Sequence, residues 1–433
     1  MSETTGVRTS YNTGSSGDNR AVRYVDERIF CYAPSYAPIL LLKGGIMPGP
    51  NGERIKVKGI IESQFTPAKK VEWYEKELLD QDITISAACS STSQTTLACD
   101  DGAGGQCLVP RVGDIIEVVT NTGGTVGEMM LVKAVTQGTT SSISVVRAIN
   151  SVTSTIMNNA TIRVLGNGQK ENSSAVTKRN RLADNKYNYM QIQRDDWGIS
   201  RSDDRIRVYA GRDKAETMAD AAVNHVRLIE RSLVFGYPKA TTDVDGNQVF
   251  LSGGLRYYIS NIYGSSTSGA AGSDFYDNSL SHGGTVDPFT EFLEVFCRYG
   301  FKRGNIRRKK IFIGGSNFAN IFNRMLTGTS PATGSLRATS KDTSFGVQVT
   351  EVVSAYGTMD FLPSGAIDEF LPTEGYLLDP ENIKFCYLDN TFMVDNAQNP
   401  DVDGYAGYFM TEFCLKVQGD KTHARIKGVT GPA

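Results

Sequence analysis

At 433 residues, with 40% hydrophobic and 21% charged residues, the chain exceeds one ordinary core and is expected to form two or more packed units, not a disordered polymer. Its formal net charge of -2 leaves no basic excess by which a DNA-gripping protein would hold phosphates. The start of the sequence, Met1 to Asn19, shows no apolar segment of a signal peptide, and its most apolar early run, Pro38 to Leu42, falls far short of the roughly 18 residues of a membrane span, so a cytoplasmic origin is expected.

The first 22 or so residues are polar and poor in aromatics, so they bury too little surface to offset ordering entropy and read as an arm that a partner must order. An apolar stretch follows from Ile29 to Leu42, interrupted by Pro34 and Pro38, and then come Ile55–Ile61 and Lys70–Leu79 with Trp73. Residues 82–168 change texture: they are rich in Thr, Ser, Gly and Val, and they alternate with the period of strands. Strands are predicted at Ile115–Val119, Met129–Val135, Ile143–Arg147 and Thr161–Leu165, punctuated by Gly123, Gly124 and Gly138 and closed by Asn167-Gly168. This pattern predicts a small antiparallel β unit inserted into something larger.

Three helices are predicted beyond it. The longest runs from Asp213 to Phe235, with Asp213 and Glu216 as a capping box, Gly236 as the stop, and a buried stripe of Ala215, Met218, Ala222, Val226, Ile229 and Leu233. At 1.5 Å per residue it would be a rod of roughly 34 Å. The second runs from Asp287 to Tyr299, with Pro288 at its first position, Gly300 as its stop and Phe289, Phe292, Leu293 and Phe296 on its apolar face. The third spans Ser316 to Thr327, ended by Gly328, with Phe318, Ile321, Phe322 and Met325 inward. Strands at Lys310–Ile313, Val347–Val353, Gly375–Leu378, Ile383–Leu388 and Glu412–Gln418 surround them in no regular βαβ alternation, so the expected class is α+β.

Motifs that carry chemistry are weak. Gly314-Gly315-Ser316 between a strand and a helix has the outline of a phosphate cradle, but no GK[ST] or GxGxxG accompanies it, and a tight strand-to-helix turn is the better reading. Asp-Val-Asp-Gly occurs at Asp243–Gly246 and Asp401–Gly404; a calcium loop would need a bidentate carboxylate where Ser252 and Met410 stand, so both read as Asp-Gly turns. His225, His282 and His423 show no metal spacing, and no GxSxG elbow nominates a nucleophile. No catalytic, cofactor or metal residue is therefore assigned, and no enzyme activity is expected. The seven cysteines lack a CxxC pair; Cys89, Cys99 and Cys107 cluster and could pair, but free thiols are the cytosolic default. Asp195-Asp196 and Asp203-Asp204 would point to opposite faces of a strand, as solvated surface or as partners of Arg194, Arg201, Arg205 and Arg207 on a neighbouring copy. The basic run Lys302 to Lys310, with Arg303 and Arg307, reads as solvated loop or intersubunit contact ahead of nucleic-acid binding.

The order of segments carries a resemblance. Val71-Glu72-Trp73-Tyr74-Glu75-Lys76-Glu77-Leu78 precedes the β unit; Asn188-Tyr189-Met190-Gln191-Ile192, Trp197-Gly198-Ile199-Ser200 and the long helix with Arg227-Leu228-Ile229-Glu230-Arg231 follow it. Near the end, Gly375-Tyr376-Leu377-Leu378-Asp379-Pro380-Glu381-Asn382-Ile383 leads to Glu412-Phe413-Cys414-Leu415-Lys416-Val417 and His423-Ala424-Arg425-Ile426-Lys427-Gly428. Over about residues 55–430 this succession resembles the major head proteins of tailed bacteriophages, with the Hong Kong 97-type capsid fold.

The resemblance implies an N-terminal arm (1–45), the start of a peripheral domain and extended loop (46–81), an inserted β domain (82–170), the return of the loop (171–212), a spine helix (213–239), an axial domain (240–375) and closing peripheral strands (376–433). It also implies pentamers and hexamers of an icosahedral head, assembled in the host bacterial cytoplasm and enclosing double-stranded DNA without sequence-specific binding. Portal, scaffold and decoration proteins are further implied partners. The short polar start offers no built-in scaffolding segment, and no Lys–Asn cross-linking constellation is matched. Intersubunit contact candidates are Trp73, Glu75, Arg194, Trp197, Arg201, Arg205, Arg303 and Arg307; the two tryptophans read equally well as core residues. The competing functions are a decoration or surface adhesin protein and an enzyme with a phosphate site at Gly314–Ser316.

Overall fold

A computed structural model describes residues 38–48, 54–58, 61–76, 82–100, 109–137, 141–171, 182–206, 213–260, 275–276, 279–281, 285–302, 309–327, 338–342 and 348–432. The chain divides into two compact units, one of Met1–Trp73 with Lys186–Ala433 and one of Tyr74–Asn185.

The smaller unit holds a closed six-stranded barrel, ordered Thr161–Asn167, Asp82–Ile85, Thr96–Asp100, Ser142–Val146, Met129–Thr136 and Asp114–Thr120. All pairings are antiparallel. The four strands predicted here recur to within two residues at each end, and two further strands complete the ring. Alternation explains why the sequence closes up: Ile83, Ile85, Leu97, Ile116, Val118, Met130, Val132, Ile143, Val145, Ile162 and Val164 point inward and are buried. Closure leaves no strand edge for a neighbour to pair with. Glu128 is wholly buried and is held by Arg147 at 2.6 Å and by the backbone N–H of Ser154 at 2.9 Å.

The larger unit is α+β. A four-stranded sheet runs Gln191–Ser200, Gly404–Val417, Ile383–Val394 and Glu62–Phe65. The long helix, Asp213–Phe235, packs on this sheet and begins and ends where the capping signals place it. Its buried face differs from the predicted stripe. Ile229 and Leu233 are buried as predicted, but Ala215 and Val226 are exposed, and His225, Glu230 and Val234 are buried in addition. The helix keeps two polar residues inside because partners from distant segments meet them.

An eight-stranded mixed sheet runs Phe275–Tyr276, Ser279–Ser281, Ala424–Lys427, Gly375–Leu378, Lys309–Gly314, Thr358–Pro363, Gln348–Val353 and Ala338–Asp342. Strands on both sides of residue 375 thus share one sheet, so the sequence boundary placed there does not separate sheets. The helix Ser316–Thr327 buries Phe318, Ile321, Phe322 and Met325 as predicted. The second predicted helix is different in kind. Pro288–Cys297 is π-helical, with the Phe292 N–H bonded to the Asp287 carbonyl five residues back at 3.1 Å, and it runs directly into an α-helix, Arg298–Lys302. Gly300 therefore ends nothing; a Cβ there would meet Leu377 at 2.8 Å, so close packing is its reason. Phe292, Leu293 and Phe296 are buried, and the side chain of Phe289 lies outside the described residues, as do Gly138 and Gly328.

Candidate functional site

The predicted contact residues scatter. Trp73 and Trp197 are each 4% exposed. Trp73 packs against Tyr258 at 5.8 Å between ring centroids, and Lys214 lies 5.5 Å over the Trp197 ring. Of their two readings, the core position describes where they sit. Arg194 is half-exposed on its strand, paired with Asp196 at 2.8 Å and stacked 4.1 Å over Tyr408. Arg201 meets Asp403 at 3.2 Å with both side chains exposed, a pairing worth little in water. Arg205 is exposed at the end of the short helix Arg201–Arg205, and Glu75 is half-buried. Arg303 and Arg307 lie outside the described residues, as do Arg207 and His282.

The acidic pairs separate in two ways. Asp195 and Asp196 do point to opposite faces of their strand, but Asp195 is not solvated surface: its Oδ2 lies 2.6 Å from His225 Nδ1. Asp203 and Asp204 sit in a helix, not a strand, where Ser200 Oγ accepts the Asp203 N–H. Of the basic run, Lys309 is exposed and pairs with Asp360 at 2.5 Å, while its neighbour Lys310 is buried and donates to the carbonyls of Gly300 and Thr422. Burial pulls the Lys310 ammonium down to about 8. It is a core residue, not a loop cation.

The Gly314–Ser316 turn is already filled. The Ser316 N–H donates to Asp368 Oδ1 at 2.7 Å, placing a carboxylate where a phosphate would sit. Asp243–Gly246 is a turn, closed by Gly246 N–H to the Asp243 carbonyl at 3.0 Å with Gly246 at φ 81°. At Asp401–Gly404, Gly404 instead opens a strand and the turn falls two residues earlier, with the Val402 N–H bonded to the Asn399 carbonyl. Against the expectation of free thiols, Cys99 is disulfide-bonded; Cys89 is free, and Cys107 lies outside the described residues.

Among the buried polar constellations that motif reading missed, three involve the long helix or the closing strands. In the first, His225 bridges Asp195 and Thr411, whose Oγ1 lies 2.7 Å from Nε2 and donates in turn to Thr391 at 2.8 Å. Acid, imidazole and hydroxyl stand in the order of a hydrolytic triad, yet Thr411 is 2% exposed and its bonds are spent within the chain. The arrangement ties the long helix to its sheet. In the second, Glu230 accepts the N–H groups of Ile39 and Leu40 at 2.9 and 3.1 Å, capping the helix Pro38–Lys43. Burial pushes this carboxyl up to about 8. Residues 38–43 of the expected arm are thus ordered by their own chain. The spacing of His225 with Ile229, and of Glu230 with Val234, was the available signal, since i and i+4 share a helix face.

The third centres on His423. Its Nδ1 accepts the Asp379 N–H at 3.0 Å and its Nε2 faces the Gln418 carbonyl at 3.3 Å, which fixes the neutral tautomer. Burial, with the Lys310 charge nearby, pulls it down to about 3. An unfolded imidazole takes up its proton near 6.5, whereas the folded one refuses it until about 3. Stability contributed by His423 is therefore complete above pH 6.5 and is lost as pH falls toward 3, by up to roughly 1.4 kcal/mol per pH unit. Unfolding titrations across that window should show a shallower slope for His423→Gln, which keeps an acceptor without a titrating group. Equal slopes would remove His423 as the cause.

Among the described residues, no cluster of three His, Cys, Asp or Glu side chains is placed to hold a metal, and no helix is long and apolar enough to cross a membrane. Residues 4–430 match the SU10 major capsid protein family, and the chain belongs to that family. It is a structural protein of a phage capsid, and copies of it assemble into the shell of the virion.

Similar solved structures include Mycobacterium phage Bobi, at 6% identity and a TM-score of 0.43, covering 97% of this chain and 98% of that one. The capsid asymmetric unit of cyanophage A-1(L) is similar at 11% identity and a TM-score of 0.40, covering 61% and 85%. The SrpI encapsulin complex of Synechococcus elongatus PCC 7942 is similar at 12% identity and a TM-score of 0.38, covering 58% and 80%. A comparison with curated proteins finds no match.

Proposed function

We propose that the shell is an icosahedral head of Hong Kong 97-type subunits, built from pentamers and hexamers and enclosing double-stranded DNA. The observation that carries this reading is the family match itself, which spans residues 4–430 and so includes the barrel as well as the larger unit. In this assignment residues 1–45 are the arm, 46–81 and 171–212 the two legs of the extended loop, and 82–170 the barrel domain they carry. The spine is 213–239, the axial domain 240–375 and the closing peripheral strands 376–433. Head-to-tail contacts close into rings when their rotation permits, and arms and loops laid across neighbours tolerate the slightly different angles of five-fold and six-fold rings. Of the contact candidates, Arg194, Arg201 and Arg205 are exposed.

The subunit performs no catalysis of its own. It assembles in the host cytoplasm, with portal, scaffold and decoration proteins as further partners and DNA held without base recognition. A net charge of -2 supports the last point, since a container that clings to phosphates would impede its own filling.

Electron microscopy of the expressed full chain is the test: shells, capsomers or other regular assemblies are expected. A chain that stays monomeric and binds only preformed shells would identify a decoration protein and overturn the proposal.

A further inference from the structure

The strands Ile383–Val394 and Gly404–Val417 form the centre of the four-stranded sheet, and their antiparallel register sets Cys386 directly opposite Cys414. Phe385 faces Leu415 and Tyr387 faces Phe413 on either side, and the register shifts only beyond Tyr387. Both cysteines are free and fully buried. A single buried cysteine is ordinarily a small apolar residue. Two of them directly opposed are different, because opposite Cα atoms in an antiparallel pair lie about 4.5–5.5 Å apart. That falls inside the about 4.4–6.8 Å span of a disulfide, so the bond can form without moving the backbone.

We infer that Cys386 and Cys414 are a redox-responsive pair, a dithiol that a small-molecule disulfide converts into a cross-strand staple. The Cys386 thiolate attacks one sulfur of the oxidant, forms a mixed disulfide and expels the other half as a thiolate. Cys414, giving up its proton, then attacks the Cys386 sulfur and expels the second half. Two protein thiols are oxidised, one small disulfide is reduced to two thiols, and the two protons leave on those thiols. The order of attack follows the electrostatics. The Cys414 thiol beside it, helped by the Lys416 and Lys384 ammonium groups, holds the Cys386 thiol below the usual thiol range, while Cys414 is pushed well up. Cys386 is therefore the nucleophile and Cys414 the resolving thiol.

The pair would stay reduced where the chain is made and close in an oxidising exterior. The chemistry itself does not depend on shell formation, so its failure and that of the assembly reading are separable. The purified full chain is incubated with oxidised glutathione, the remaining thiols are alkylated under denaturing conditions, and peptides are mapped without reduction. A peptide linking Cys386 to Cys414 is expected, with a rise in Tm of about 5 °C that dithiothreitol reverses. Cys386→Ser and Cys414→Ser should each abolish the linked peptide and the rise. Recovery of both residues as alkylated thiols in wild-type chain after prolonged oxidation, or their linkage only to glutathione or to other cysteines, would overturn the inference even if neither variant folds.

Discussion

Replacing Arg425 with methionine should lower the unfolding free energy by about 3–5 kcal/mol. Arg425 Nη2 lies 2.5 Å from Glu374 Oε1, and the two side chains are only 4% and 7% exposed. Tyr376, directly opposite Arg425 on the neighbouring strand, donates its hydroxyl to Glu374 Oε2 at 2.8 Å. Arg256 stands 3.9 Å from the same carboxylate but is largely exposed, so it compensates poorly. Removing the guanidinium leaves a buried carboxylate with one phenol for company, and that desolvation is the source of the loss. Combining Arg425→Met with Glu374→Gln removes the orphaned charge and should recover most of the stability. Denaturant unfolding of the two variants decides it: a single variant within about 1 kcal/mol of wild type would show that water already reaches the pair.

Truncating Phe312 to alanine should cost a similar amount, about 3–5 kcal/mol, by a different cause. Phe312 sits on the central strand Lys309–Gly314, whose residues from Lys310 to Gly314 are all buried. Its ring lies within 5.1–6.1 Å of those of Phe292, Phe296, Phe318, Phe322 and Phe361. These rings come from two helices and a neighbouring strand, so the vacated volume has rigid walls on several sides and cannot collapse. Gly375 supports this packing, since a Cβ there would meet Phe312 at 2.4 Å. Phe312→Leu keeps most of the volume and should cost under about 1.5 kcal/mol. Equal losses for alanine and leucine, measured by thermal or denaturant unfolding, would mean that ring shape matters and cavity volume does not.

Local signals were enough for many elements. The helices Asp213–Phe235 and Ser316–Thr327 begin and end where caps and glycines place them, and the barrel strands follow their own alternation. Four of the five other predicted strands overlap observed ones to within about two residues at their starts, because a buried strand needs little beyond its apolar run. The fifth, Gly404–Val417, begins well before its fully buried core, since its first half lies mostly half-buried against a partner strand.

What failed was whatever depended on a distant partner. The long helix was read as burying alanines and Val226, but it buries His225 and Glu230 because Thr411 and the Ile39 and Leu40 amides meet them. The π-helical turns at Pro288–Cys297 carry no signal of their own; a Pro, a Phe-rich face and a following glycine predict an ordinary helix equally well. The Gly314–Ser316 segment is the tight strand-to-helix turn expected of it, but its occupant, Asp368, lies 52 residues away and carried no local signal.

By itself, then, the sequence determined the α+β class, the insertion with its strand alternation, two capped helices and, through the order of its segments, the capsid family. Periodicity and capping are properties of neighbours along the chain, so they survive without a fold. The closed barrel, the buried His225, Glu230 and His423 constellations and the face-to-face cysteines were decided only by the tertiary structure. Burial of a polar group is settled by its partner, and here those partners lie tens to hundreds of residues away.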